Sequence, residues 1–168
     1  MAIVTRAGKG SELTHNELDE NFNWLNANKA ANVKPAFVAN AAVTTCWAST
    51  HTKIIFNAIV HDSNNNFDAT TNYRFTPTVA GYYQFNLSVL MDIPATNRLV
   101  AQIYKNGSVE VANYAVGTAA GGSSSVSGVI FMNGITDYVE GYVYQDTVGS
   151  VNTSSVASLT RFSGGMIS

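Results

Sequence analysis

One run constrains this chain more than any other. From Tyr82 the residues alternate: Tyr83, Phe85, Leu87, Val89 and Met91 fall on one face, and Tyr82, Gln84, Asn86 and Ser88 on the other. Successive side chains of an extended chain point to opposite sides, so a sustained period of two is a strand with one face in a core. Just upstream, Tyr73 to Thr76 is a short β segment ended by Pro77, which cannot donate to a ladder. Ala80-Gly81 then turns the chain. The strand therefore belongs to a hairpin-rich sheet, and a sheet with one apolar face needs a second layer.

Further strand patterns follow the same logic. Ala36 to Ala39 starts a first strand that can continue to Cys46, and Lys53 to Val60 reads as a second. Arg98 to Tyr104 alternates, and Asn106-Gly107 is a strong hairpin signal, because both positions tolerate positive φ. Val109 to Tyr114 returns. Gly117 to Ser125 reads as a Gly/Ala/Ser loop. Val126 to Met132, Tyr138 to Gln145 and Leu159 to Ile167 complete about nine or ten strands, a number that fits an all-β, two-sheet jelly-roll sandwich. Two strands are apolar on both faces: Val129 and Phe131 oppose Val126, Ile130 and Met132, while Tyr138, Tyr142 and Tyr144 oppose Val139, Gly141 and Val143. A sandwich uses one face of each sheet, so the second face asks for another partner.

The first 34 residues differ in kind. Arg6 to Ser11 reads as a flexible or extended run. Thr14 with Glu17 three residues on is a capping box, and Leu13 against Leu18 is a hydrophobic staple. These start a helix from about His15 to Ala27, on which Leu18, Phe22 and Leu25 form one apolar stripe. Residues 28 to 34 read as linker and Pro35 as the entry to a second domain, 35–168. A lone helix of this length is marginal in water. It must pack on its own β-domain, on symmetry mates or on another protein.

Of 168 residues, 12% are charged and 46% hydrophobic, and the net charge is -2. No Lys/Arg cluster tracks a phosphate backbone, so nucleic acid is not an expected partner. No apolar run approaches a membrane span of about 20 residues. No secretory signal is visible after Met1, which implies synthesis in a cytoplasm. The lone cysteine, Cys46, has no intrachain disulfide partner.

Phe67-Asp68, Tyr73-x-Phe75, Pro77 and Gly81-Tyr82-Tyr83-x-Phe85 together resemble the central signature of the C1q/tumour-necrosis-factor-like jelly roll. Lys105-Asn106-Gly107, Asp137-Tyr138-Val139 and Phe162-Ser163-Gly164 agree in order and spacing, although Thr136 stands where that family has glycine. The resemblance covers about Pro35 to Ser168, the size of one ordinary domain. It implies three subunits packed around an axis, with Tyr138, Tyr142, Tyr144, Val129 and Phe131 as interface candidates. A second stretch, Gly8-Lys9-Gly10-Ser11-x-Leu13-Thr14-x-x-Glu17-x-Asp19-x-Asn21-Phe22-x-x-Leu25, is similar to a recurrent segment of tail-fibre and other virion-appendage proteins of tailed bacteriophages, with Glu12 in place of the usual proline. It implies attachment through Leu13, Leu18, Phe22 and Leu25 to another virion protein of tail or capsid.

No catalytic set is legible. His15, His51 and His61 are scattered, no nucleophile elbow occurs, and Gly8-Lys9-Gly10-Ser11 lacks the glycine spacing of a phosphate loop. No cofactor and no enzyme activity are expected. Asp62, Asn64 and Asp68 alternate as calcium ligands do, but the turn glycine and distal glutamate of an EF-hand are missing, and an Asn-rich turn explains them equally. The Asn-x-Ser matches at Asn86, Asn106 and Asn152 are expected in so Asn/Ser-rich a chain. Loops on a rigid scaffold often carry recognition. The candidates are Asp92 and Asn97 in one hairpin cap, Thr118 and Ser123 in the 117–125 loop, and Asp146 and Asn152 in the 146–155 loop. Plain solvated connection is the other reading of each. Tyr104, Tyr114, Tyr142 and Tyr144 suit a carbohydrate-stacking surface or a subunit interface.

The two resemblances together imply a virion protein made in the host cytoplasm: a homotrimeric tail fibre or tip, with an N-terminal attachment segment (1–34) and a head (35–168) that binds a host-surface glycan or protein. A head decoration or capsid fibre without receptor role is the alternative, followed by a free cellular C1q-like ligand. The latter fits less well, because no signal peptide or disulfide framework is seen.

Overall fold

The computed structural model describes residues 3–30 and 34–168, which fall into two compact units, an N-terminal unit up to residue 33 and a β-unit from Lys34 to Ser168.

In the N-terminal unit, α1 (Arg6–Lys9) replaces the expected extended run. Thr5 caps it, its Oγ1 accepting from the Gly8 N–H at 3.1 Å. Gly10, at φ 74°, closes it with an N–H donated to the Arg6 carbonyl. Helix α2 (His15–Ala30) starts where the capping box places it. The Thr14 N–H donates to Glu17 Oε2 at 2.7 Å and the Glu17 N–H to Thr14 Oγ1 at 3.3 Å. Asn21 folds the chain start onto α2: its Oδ1 accepts from the Val4 N–H and its Nδ2 donates to the Val4 carbonyl, at 2.9 and 2.8 Å.

The β-unit contains β1 (Ala36–Asn40), β2 (Thr45–Cys46), β3 (Thr52–Lys53), β4 (Ala58–Asp62), β5 (Phe67–Asp68), β6 (Arg74–Phe75), β7 (Gly81–Met91), β8 (Arg98–Lys105), β9 (Ser108–Val116), β10 (Gly122–Met132), β11 (Val139–Gln145), β12 (Val151–Asn152) and β13 (Arg161–Met166). Eight of these strands have five residues or more, and the other five have two each. One antiparallel sheet runs β10-β7-β13-β1-β4 and the other β5-β6-β11-β8-β9, with β3 on β11 and a separate β2–β12 ribbon. This is the jelly-roll sandwich that the alternation implies.

The inward face of β7 is buried throughout: Tyr83, Phe85, Val89 and Met91 are 0% exposed and Leu87 1%. Aromatic rings join the two sheets. Phe37 of the first sheet stacks on Phe67 and Phe75 of the second at 4.9 and 4.5 Å, and meets Phe162 edge-on at 5.0 Å. The first sheet closes so tightly that a Cβ on Gly164 would lie 2.3 Å from the Phe85 ring.

The largest departures from the expected strand boundaries fall at three places. The first strand stops at Asn40, and Thr45–Cys46 pairs instead with Val151–Asn152. The run from Lys53 to Val60 is not one strand: β3 joins the second sheet and β4 the first, and residues 54–57 cross between them with Ile54 and Phe56 buried. Periodicity persists through such a crossing, because both ends still present alternate residues to one core. Finally, β10 begins at Gly122, so only 117–121 is loop. Ser123–Ser125 pair with Leu90–Ser88, and at the strand start Gly122 leaves no room for a side chain: a Cβ there would meet Ile93 at 2.7 Å.

Candidate functional site

The sandwich has two unlike ends. At one, Lys34–Ala36 enters beside the 62–66 turn, the start of β7 and residues 166–168. This entry end is rigidly locked. Asp137 accepts from Asn106 Nδ2 at 2.8 Å, the Asn133 N–H at 3.0 Å and Lys105 Nζ at 3.1 Å. The Asn106 amide leads the groups holding the Asp137 carboxyl below its usual range. The hairpin glycine Gly107 sits at φ 81° after Asn106 at φ 51°, as a two-residue turn of this kind demands.

The calcium-like residues lie at this end too, and their oxygens are already engaged. Asp62 accepts from the N–H groups of Asn64, Asn66 and Phe67. Asp68 accepts from those of Thr70, Thr71 and Asn72, and these backbone donors hold its carboxyl far below the usual value. Asn64 Oδ1 accepts from Ser63 Oγ. Asp62 and Asp68 each cap a turn of backbone donors, and no group of three His, Cys, Asp or Glu among the described residues is placed to hold a metal.

At the opposite end the segments 92–97, 117–121 and 146–155 converge, and there the structure gathers most of the recognition candidates. Asp92 is exposed and stands in the wall of two depressions. One, about 470 Å³, is lined by Asp92, Val43 and the run from Ser150 to Ser155 that contains Asn152. The other, about 380 Å³, lies between the Asp92–Ala95 and Thr118–Gly121 turns. Thr118 itself closes its own turn, donating from Oγ1 to the Gly121 carbonyl at 2.9 Å.

Asn97 and Asp146 are placed differently. Asp146 accepts from the Arg98 N–H at 2.6 Å, from Arg98 Nε at 2.8 Å and from Asn97 Nδ2 at 3.4 Å, and the Arg98 guanidinium leads the groups that depress its carboxyl. These two residues stitch the β8 and β11 ends together. Ser123 is exposed but belongs to β10 rather than to a loop. Buried polar groups make the end firm: the Gln145 amide, 0% exposed, donates to the Cys46 and Gly149 carbonyls at 3.0 and 2.8 Å, and its Oε1 accepts from the Thr147 N–H at 2.6 Å. The Thr44 N–H donates to Thr153 Oγ1 at 2.8 Å. Burial pushes the Cys46 thiol up to about 12, which leaves it unreactive.

The subunit-interface candidates fall on opposite outer faces. On the second sheet, Tyr142 stacks on Tyr104 at 4.0 Å, Tyr144 lies 5.0 Å from the His51 ring, and the Arg74 guanidinium covers Tyr138 at 4.2 Å. His51 Nδ1 is 2.7 Å from Gln102 Oε1, and Lys53 pairs with Glu140. Burial, then the Glu140 charge, raises the Tyr142 hydroxyl above its ordinary value. The chain itself therefore covers much of this tyrosine face. The first sheet is barer. Val129 is 54% exposed, Phe131 47% and Tyr82 51%, with Tyr82 and Phe131 edge-to-face at 5.4 Å. In the N-terminal unit, Leu13 is half-buried while Leu18, Phe22 and Leu25 are exposed.

Residues 36–166 match the family model of the C1q domain. The chain belongs to the C1q domain family. Solved structures share the fold at low identity. Murine APRIL at pH 8.5 has a TM-score of 0.58 at 14% identity, over 80% of this chain and 99% of that one. The PRD1 vertex protein P5 has 0.59 at 12%, over 81% and 74%. The globular domain of zebrafish complement 1qA has 0.52 at 19%, over 80% and 98%. No curated protein matches the chain. In this C1q domain the signature residues are structural: Phe67, Phe75 and Phe85 build the inter-sheet ring cluster, and Lys105, Asn106 and Asp137 lock the entry end.

Sequence reading missed Trp47, which is 64% exposed at the loop end. Its signal was a large aromatic in the otherwise small, polar stretch Ala48-Ser49-Thr50 that follows it.

Proposed function

We propose that this chain is a non-catalytic structural protein of a bacteriophage virion, a homotrimeric tail fibre or tip whose N-terminal segment attaches it and whose C1q head binds the host surface. The polarity of the head carries this reading. Its chain enters at the locked end, while the converging loops, the two depressions and Asp92 lie at the other, which an attached head would present outward.

Exposure supports the remaining parts. Leu18, Phe22 and Leu25 offer an uncovered apolar stripe on α2 for a virion partner. Tyr82, Val129 and Phe131 offer an apolar ridge, beside a trough of about 370 Å³ lined by Ala36, Ser163 and Gly165. Closed three-fold assembly joins two different patches of neighbouring subunits, so candidates on opposite faces are compatible with one ring. No helix among the described residues is long and apolar enough to cross a membrane.

A capsid fibre or head decoration is the second reading, favoured by the fold shared with a virion vertex protein. One experiment separates the two. Particles carrying a labelled chain are imaged, and purified chain is tested as a competitor of adsorption. Label on the tail tip with competition supports the fibre; label on the capsid without competition supports decoration; label on neither removes the virion reading.

A further inference from the structure

We propose that the β2–β12 ribbon at the loop end binds a glycan with neutral or amino-sugar residues, Trp47 providing the stacking face and the Ser150–Ser155 segment with Asp92 the hydrogen-bonding wall. This rests on the host-surface reading and names the ligand class.

The ribbon places the chemistry. Thr45 pairs with Asn152 and Cys46 with Val151. Thr45 is exposed, Cys46 is 0% exposed and Trp47 is 64% exposed, so the alternation puts Thr45 and Trp47 on the outward side. Asn152, opposite Thr45, is exposed on that side as well, and Ser150 is the next position of its strand in the same sense. The depression of about 470 Å³ runs along this strand and ends against Asp92.

A pyranose has an apolar C–H face and a rim of hydroxyls that both donate and accept. An indole supplies a broad apolar face with one N–H donor. Serine, threonine and asparagine side chains both donate and accept, matching the rim. Among the residues lining the depression there is one carboxylate and no cation. Asp146 is taken by Arg98, whereas Asp92 has no hydrogen bond or ion pair within the described chain. A free acid in the wall repels uronic and other acidic sugars and accepts from hydroxyl or ammonium groups. The Gln145 amide and the Thr44–Thr153 bond hold the ribbon beforehand, which lowers the ordering cost of binding.

The test presents the full-length chain to immobilised oligosaccharides ending in hexose, N-acetylhexosamine, hexosamine or uronic acid. Retention on one or more of the first three and not on the last is expected. Trp47→Ala should weaken it about tenfold or more, the loss expected of an anchoring aromatic, with an unchanged thermal midpoint. Asp92→Asn should admit uronic-acid ends. Should Trp47→Ala lower the midpoint, Asn152→Ala, which removes only an exposed amide, carries the test. No retention on any oligosaccharide overturns the proposal, as does retention indifferent to these substitutions. A Trp47→Ala chain of changed oligomeric mass overturns it too, placing Trp47 in a subunit contact. Failure here is distinguishable from failure of the host-surface reading. Adsorption that responds to Thr118 but not to Trp47 removes only the glycan site. Glycan binding through Trp47 without competition at host cells removes only the host-attachment role.

Discussion

Phe85 and Asp146 mark the two kinds of residue on which the head depends. Phe85 is fully buried and meets Phe75 at 6.1 Å and Phe162 at 6.2 Å. Phe85→Ala should cost roughly 3–5 kcal/mol, measured by denaturant unfolding, because the inter-sheet cluster cannot collapse around the missing ring. Asp146 looks in sequence like a solvated loop residue, yet it collects three donors from Asn97 and Arg98. Asp146→Ala should lower stability by about 1–2 kcal/mol. Its carboxyl is depressed in the folded state, so this contribution is complete above the usual carboxylate range and is lost as pH falls through the folded value. The difference in stability between the natural chain and Asp146→Ala should therefore shrink in acid. A gap that widens in acid would contradict the assignment.

At the scale of elements, α2 shows how much one cap decides. Hydrogen bonds from Lys9, then from Thr14, lower the Glu17 carboxyl from 4.5 to about 2. The sign follows directly: the folded value lies below the unfolded one, so the cap is fully formed above about 4.5 and fails as pH falls toward about 2. Protection of the first-turn α2 amides against hydrogen exchange, relative to unstructured amides at the same pH, should fall across that window, and Glu17→Gln should remove the dependence. The exposed stripe makes a separate prediction. Leu18→Asp with Phe22→Asp should leave the head folded but absent from particles, since charges there would have to be desolvated at the contact. Heads present at normal copy number would remove the attachment role. On the other unit, the serines before Val126 read as loop because small polar residues are common in turns; in fact they pair with Leu90–Ser88 of β7, and it is Gly122, at the start of β10, whose missing Cβ leaves room for Ile93.

The whole molecule turns on assembly and polarity. A homotrimer should be seen by light scattering for the 35–168 head, and Val129→Asp with Phe131→Asp should give monomers, because the first sheet leaves these apolar side chains about half exposed. A stable monomer of the natural head at micromolar concentration would leave that ridge without a partner and remove the trimer. Adsorption should respond to changes at Thr118, Asn152 and Asp92, which line the depressions, while thermal stability shifts by no more than about 0.5 kcal/mol. Asn97 and Asp146 are poor probes of recognition, since their loss disturbs the fold itself. Unchanged adsorption across the first three would move the head to the decoration role.

The sequence by itself determined what local patterns and fixed spacings encode. The β7 alternation named every inward residue of that strand, the Thr14–Glu17 spacing placed the start of α2, and the ordered landmarks from Phe67 to Gly164 identified the family. Each of these is a short-range rule: a period, a cap, a turn. Only the tertiary structure decided which residues meet across the chain. The crossing at 54–57 kept its periodicity while changing sheets. Asp62 and Asp68 turned toward backbone N–H groups. Asp146 found Arg98 from 48 positions away, and Thr45–Cys46 came to pair with Val151–Asn152. Contacts between distant segments depend on the register of whole sheets, and no local pattern of residues records that register.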